Sequence, residues 1–311
     1  MSLLSVQDLV VEFPNRHGVL TALNGVSFDV QPGEILGLVG ESGAGKSMTG
    51  AAIMGLIEPP GRIAGGQISL NDRRVDQSPE QFRGRQIGMV FQDPLTSLNP
   101  LQRIGDQLIE TLRIHHGGSY ESAKVAALAA LDEVGIDPKR WDQYPHEFSG
   151  GMRQRVVIAL ALASEPELLV ADEPTTALDV SIQAQVLDLL KKLCRERGCG
   201  VILITHDMGV IAQTTDRVAV MYLGRIVELG KTYEVIHNPT HPYTQGLMAS
   251  TPTINGRVED DLFQIPGSMP RLNAIPSGCA FHPRCSFATD ECRQIAPTFD
   301  GRRACFWSAE S

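Results

Sequence analysis

Apolar and polar positions alternate along the first forty residues in the manner of short strands joined by polar turns. Such stretches cover residues 4–13, 21–30 and, after Pro32-Gly33-Glu34, 35–39. The last, Ile35-Leu36-Gly37-Leu38-Val39, is apolar without interruption, the pattern of a strand buried on both faces. Residues 48–57 then read as a helix, and strand patterns recur at 66–70 and 87–91. From about 100 to 165 the periodicity is helical, clearest in the alanine-rich 122–134, and strands return at 168–171, 201–205 and 218–223. Residues 181–197 form an amphipathic helix, apolar at Ile182, Val186, Leu189, Leu190 and Leu193, with Gly198 placed to end it. Strands alternating with helices predict an α/β fold: a mixed, mostly parallel sheet, an antiparallel β layer and a helical subdomain at about 93–165. From about 237 the periodicity fades and proline, glycine and cysteine crowd the chain. Two parts are expected, 1–236 and a Cys-rich C-terminal module, 237–311.

Chemistry enters between the 35–39 strand and the 48–57 helix. Gly40-Glu41-Ser42-Gly43-Ala44-Gly45-Lys46-Ser47 fits G-x-x-x-x-G-K-[ST], in which glycines let consecutive N–H groups turn toward phosphate oxygens. The following helix aims its positive end at the same charge. Lys46 reaches the β/γ-phosphates and the Ser47 hydroxyl ligates Mg²⁺. A chance match in a chain of this length is on the order of 1% at average residue usage, so the stretch reads as a nucleotide site rather than a plain glycine-rich turn.

Two further stretches extend that site. Leu168-Leu169-Val170-Ala171-Asp172-Glu173 is an apolar strand ending in two acids. Such a pair is often only a helix cap; beside a phosphate loop, Asp172 is expected to hold Mg²⁺ through water and Glu173 to polarise an attacking water. Phe148-Ser149-Gly150-Gly151-Met152-Arg153-Gln154-Arg155 opens a helix over 156–164 with a hydroxyl and exposed N–H groups, a second anion site. Two anion sites for one nucleotide make sense if a neighbouring subunit supplies the nucleotide that the second one faces.

Composition narrows the classes. A formal net charge of −9 argues against a nucleic-acid partner, whose binders carry a basic face. The first ten residues lack a cationic segment and meet Asp8, unlike a signal peptide, and the longest apolar stretch, 156–163, is far short of a bilayer span. A cytoplasmic location is expected. There, six cysteines suggest metal binding or plain thiols rather than disulfides. Cys279, Cys285, Cys292 and Cys305 suit tetrahedral zinc or an iron–sulfur cluster; lacking a C-x₂₋₄-C pair, they lean toward the cluster, with four reduced thiols as the plain alternative. Cys194 and Cys199 read as ordinary residues.

In this order the motifs resemble those of the ATP-binding subunits of ABC transporters. Residues 40–47 resemble Walker A, 168–173 Walker B, Ser149-Gly150-Gly151 the signature and Gln92 in Phe91-Gln92-Asp93-Pro94 the Q-loop. Thr176-Ala177-Leu178-Asp179 resembles the D-loop, and His206 in Ile204-Thr205-His206-Asp207 the switch histidine. The resemblance implies a P-loop ATPase whose two subunits sandwich ATP head to tail. Phe13 would stack on adenine, unless it is a strand-end core residue, and Gly40, Glu41, Ser42, Gly43, Ala44, Gly45, Lys46, Ser47 and Met48 would cradle the phosphates. Lys46, Glu173 and His206 would be catalytic, Gln92 would ligate Mg²⁺ with Ser47 and Asp172, and Ser149, Gly150, Gly151 and Asp179 would complete the site across the dimer. Phe148 and Met152 stand where the commonest signature has leucine and glutamine, so any role of that glutamine side chain is lost here.

A narrower likeness is to the peptide-importer branch, which serves dipeptides, oligopeptides and sometimes nickel. Leu95-Thr96-Ser97-Leu98-Asn99-Pro100, His241-Pro242-Tyr243-Thr244-Gln245, Ile265-Pro266-Gly267 and the four-cysteine tail carry it. It implies a [4Fe–4S] centre on Cys279, Cys285, Cys292 and Cys305. It also implies a second ATPase chain, two membrane permeases and an extracytoplasmic binding protein as partners. Two rival classes are a DNA-maintenance ATPase and a translation-type or regulatory ATPase. The former usually inserts coiled coils or zinc modules between the Walker motifs, and the latter usually joins two cassettes in one chain; neither feature is found here.

Overall fold

The computed structural model describes residues 2–176, 178–251 and 263–307. They gather into two compact units interleaved along the chain. The first takes the described residues of Met1–Leu4, Val30–Ile35 and Gln77–Leu203, the second those of Ser5–Asp29, Leu36–Asp76 and Ile204–Ser311.

In the first unit the strand Ile87–Val90 runs parallel to Leu168–Asp172, with Ile87 opposite Leu168 and Val90 opposite Ala171. Gly200–Thr205, mostly within this unit, lies beside the latter and is buried along its length. Four longer helices accompany these strands: Ile104–His116, Tyr120–Glu133, Gly150–Leu162 and Val180–Arg197. Ser119 starts the second by accepting from the Ser122 N–H at 3.2 Å, an N-cap that satisfies an otherwise unpaired donor. The fourth buries Val186, Leu187, Leu190 and Leu193 and stops at Gly198, whose left-handed φ of 67° lets its N–H turn back to Cys194 and Arg195. Periodicity and stop signal agree in sequence and structure.

The second unit holds a four-stranded sheet in the order Gly18–Val30, Leu4–Asn15, Arg62–Leu70, Arg73–Arg74. It also holds Ile35–Val39, all five residues buried, running parallel to Arg217–Tyr222 with Val39 opposite Val220. Arg217–Tyr222 pairs antiparallel with Arg225–Lys231 through the tight turn Leu223-Gly224, both residues at positive φ (45° and 73°). Hairpins favour that geometry and normally mark it with Asn-Gly or Asp-Gly. Leucine in the first position hides the turn, so the hairpin and its second strand are absent from the sequence expectation.

The tail is not featureless. Its helix Pro242–Ala249, together with the helix Thr232–His237 just before it, carries Tyr243 and Val235 into one apolar cluster with Val39, Ile211, Val218, Val220, Tyr222 and Phe281. The rings of Tyr222, Tyr243 and Phe281 meet edge to face with centroids 4.7 to 5.3 Å apart. Such contacts add about 0.5–1.5 kcal/mol each beyond area burial. A few large rings do the work that periodic aliphatics do elsewhere. Among the described residues no helix is long and apolar enough to cross a membrane.

Candidate functional site

The strand Ile35–Val39 delivers the chain into the loop 40–47, and the helix Lys46–Met54 leaves it. That helix begins two residues before the predicted start, so Lys46 is its first residue and Gly45, at φ 105°, its cap. Gly40 is required on two counts. Its φ is 155°, and a Cβ there would lie 2.3 Å from the Met221 carbonyl oxygen. Gly45 would likewise press Leu23 and Gly224 at 2.9 and 3.2 Å. Lys46 is 6% exposed, and its ammonium donates to the carbonyls of Gly40 (2.8 Å) and Glu41 (3.1 Å), arching over the loop. Ser42, Gly43 and Ser47 are exposed, Met48 is half-buried and Ala44 is buried, its carbonyl accepting from the Gly224 N–H.

In the same unit His206 is exposed just after the Gly200–Thr205 strand, and Asp207 caps the helix Met208–Thr214. Phe13 is half-buried on its strand. A Cβ on Gly61 would sit 2.5 Å from its ring, so the ring packs against that glycine.

The first unit carries the predicted acids. Asp172 ends its strand, and Glu173 follows in a left-handed conformation, φ 45°. A non-glycine residue held there costs on the order of 1–3 kcal/mol, and such strain gathers at functional positions. The Glu173 carboxylate accepts from the Thr176 hydroxyl (2.8 Å) and the Gln92 side-chain amide (3.2 Å) through one oxygen, Oε2. Thus Gln92 and Glu173, 81 positions apart, come together. Asp179 precedes the Val180–Arg197 helix; Ala177 of the predicted 176–179 turn lies outside the described residues.

Ser149 caps the helix Gly150–Leu162, its hydroxyl accepting from the Met152 N–H at 3.4 Å. Ser149 and Gly150 are exposed, as an anion site requires. Gly151 has a second duty. A Cβ there would lie 2.4 Å from Ile182 Cγ2, so the glycine also lets the Val180–Arg197 helix approach.

The tail supplies contacts that the sequence reading missed. Tyr243, fully buried, accepts from the Glu41 N–H at 2.9 Å, and Arg284 donates two bonds, 2.6 and 2.9 Å, to the Glu41 carboxylate. The His241-Pro242-Tyr243 run has a physical role in the structure. Nδ1 of His241 accepts from the Tyr243 N–H and starts the helix that presents Tyr243. Burial pushes that imidazole down to about 4, so it is neutral at pH 7 and able to accept.

Burial pushes the Cys279, Cys285 and Cys305 thiols up, Cys285 to about 11. Neighbouring thiols add to each shift, Cys292 among them, so the four lie within electrostatic reach of one another. Among the described residues no three His, Cys, Asp or Glu are gathered as a metal-holding group. In donor type and number the four thiols suit a cluster. Cys194 and Cys199 are buried, at the end of the Val180–Arg197 helix and just beyond it.

Comparison with known proteins shows the family. Residues 23–176 match the ABC transporter family model, and 227–292 match the model of the oligopeptide/dipeptide transporter C-terminal region. The chain is 48% identical to the oligopeptide transport ATP-binding protein OppD of Haemophilus influenzae, covering 99% of this chain and 98% of that one. It is 51% identical to OppD of Bacillus subtilis, over 92% of this chain and 82% of that one. Two solved structures share the fold at 28% identity. The ATP-binding cassette MJ0796, a dimer bound to ADP and Pi, gives a TM-score of 0.66 over 74% of this chain and 98% of its own. cbiO1 of Clostridium perfringens, part of an ABC transporter complex, gives 0.67 over 76% and 91%.

Proposed function

Because the chain belongs to the ATP-binding proteins of ABC transporters, we propose that it is the ATP-hydrolysing subunit that energises import of oligopeptides across the cytoplasmic membrane. The observation that carries the cargo is the extent of the likeness. It runs through the tail, where the oligopeptide/dipeptide C-terminal region matches, and the relatives similar over nearly the whole length are oligopeptide-transport proteins. Their name, rather than nickel, sets the cargo proposed.

On this reading residues 1–236 are the ATPase and 237–311 a Cys-rich extension. Lys46 and the loop N–H groups hold the β- and γ-phosphates, and Phe13 takes the adenine. Ser47, Gln92 and Asp172 offer the hydroxyl, amide and carboxylate oxygens that suit Mg²⁺, which would neutralise charge on the phosphates. Glu173 takes a proton from the attacking water, and His206 contacts the γ-phosphate. Ser149, Gly150, Gly151 and Asp179 face the nucleotide of a second ATPase chain. The dimeric state of MJ0796 supports that arrangement. Two permeases and an extracytoplasmic binding protein complete the assembly, with this chain peripheral on the cytoplasmic face. Uptake of a labelled oligopeptide into proteoliposomes holding all these components is expected to require ATP on this chain's side. Peptide uptake without ATP would overturn the coupling; ATP-driven uptake of a different solute class alone would overturn the cargo.

Cys279, Cys285, Cys292 and Cys305 are proposed to hold a [4Fe–4S] cluster, with zinc as the alternative metal. Either would staple a module with few regular apolar positions. Chain purified without oxygen is expected to show a broad visible absorption band that bleaches with dithionite, and about four irons. Colourless chain with zinc or no metal would withdraw the cluster and leave the ATPase assignment standing.

A further inference from the structure

Glu41 puts a carboxylate at the second position of a loop shaped to hold an anion, where a free negative charge would repel the ligand. The structure answers that charge from far along the chain. Arg284 meets Glu41 with both terminal nitrogens, 2.6 and 2.9 Å, and its side chain is only 5% exposed. A planar guanidinium matched to a carboxylate in this forked way is both strong and geometrically demanding. Arg284 is itself held. Its Nε donates to the Pro266 carbonyl at 2.9 Å, and its guanidinium lies 6.0 Å from the ring centroids of Tyr222 and Phe281. Beside it, Tyr243 accepts from the Glu41 N–H, and Met269 Sδ would meet a Cβ on Gly43 at 3.8 Å. Three separate tail segments therefore converge on the first half of the loop.

Resting on the phosphate-loop reading of residues 40–47, we propose that Arg284 is a positioning residue for nucleotide binding, cancelling the charge of Glu41 and fixing its side chain so that the loop can take a triphosphate. Arg284 closes the short turn His282–Arg284 and directly precedes Cys285, so the tail takes part in nucleotide affinity through its own folding.

The sign of the charge separates this role from plain structural support. Removing the arginine bares Glu41 to the ligand, and removing the carboxylate does not. Mg-ATP binding by the full chain is the measurement, with ATPase kinetics beside it. Arg284→Met is expected to weaken binding about tenfold, the scale of one uncompensated like charge, with the loss in KM more than in kcat. Arg284→Lys should fall between that variant and wild type. Glu41→Gln, which keeps the loop N–H and removes only the charge, should bind more tightly than wild type, and Glu41→Gln with Arg284→Met should recover most of the loss. Glu41 is 29% exposed, so its variant keeps the question answerable even where Arg284→Met fails to fold. Equal weakening by Glu41→Gln, or no recovery in the double variant, would overturn the charge-cancelling role. Wild-type chain that binds no ATP, or Lys46→Ala chain that binds as well as wild type, would instead remove the phosphate-loop reading and this proposal with it.

Discussion

Glu173→Gln is expected to keep ATP binding while hydrolysis falls on the order of 10²–10⁴-fold, the usual contribution of a general base. The geometry makes this a clean substitution. Thr176 and Gln92 both donate to a single oxygen of Glu173, Oε2. A glutamine can place its carbonyl oxygen there and keep both bonds, with its amide nitrogen in the position of the other oxygen. Position and polarity survive; the proton acceptor does not. Alanine would be less informative, because it also frees Thr176 and Gln92. The left-handed φ of 45° at this residue is a backbone conformation that a non-glycine residue seldom adopts. Measuring Mg-ATP affinity and single-turnover hydrolysis on one preparation checks the prediction. Wild-type turnover would remove Glu173 from the proton-accepting role, and lost affinity would point to a part in binding instead.

Where a signal fits inside a short window, the sequence displays it. The strand Ile35–Val39 is found to the residue because five apolar positions between Glu34 and Gly40 leave no other boundary. The Val180–Arg197 helix is found because its apolar spacing and its terminal Gly198 agree. The loop 40–47 needs only its own eight residues to declare its chemistry. What escapes notice is set by partners outside any window. Glu41 looks like a variable position of the loop, yet its partners Tyr243 and Arg284 stand 202 and 243 residues away. Phe281 and Tyr243 look like scattered aromatics in a periodless tail, yet they close the core above Val39 and Val220. Gly151 shows a local reason, an anion site, and conceals a distant one, the close approach of Ile182. The turn Leu223-Gly224 escapes for a different reason: leucine pays a steric cost that turn chemistry normally avoids, so no rule of composition marks it.

Lys46→Ala is expected to abolish useful nucleotide binding. The ammonium is nearly buried and bridges the carbonyls of Gly40 and Glu41, so its charge sits over the loop that is proposed to receive the phosphates. Losing one hydrogen bond to a charged group costs about 1.5–3 kcal/mol, roughly ten- to a hundredfold in affinity. Two carbonyl oxygens are also left facing the anion with no cation between them, which adds repulsion to the missing attraction. Backbone donors and the helix end remain, so a weak residual affinity is expected rather than none. Lys46→Met separates charge from packing, because it keeps most of the buried stem; it should lose binding nearly as fully while unfolding at close to the wild-type temperature. Equilibrium dialysis with Mg-ATP reads the affinity, and thermal unfolding without nucleotide reads the packing. Wild-type affinity in either variant would mean that the loop 40–47 does not hold the phosphates, and the roles proposed for Ser47, Gln92, Asp172 and Glu173 would lose the ligand they are proposed to serve.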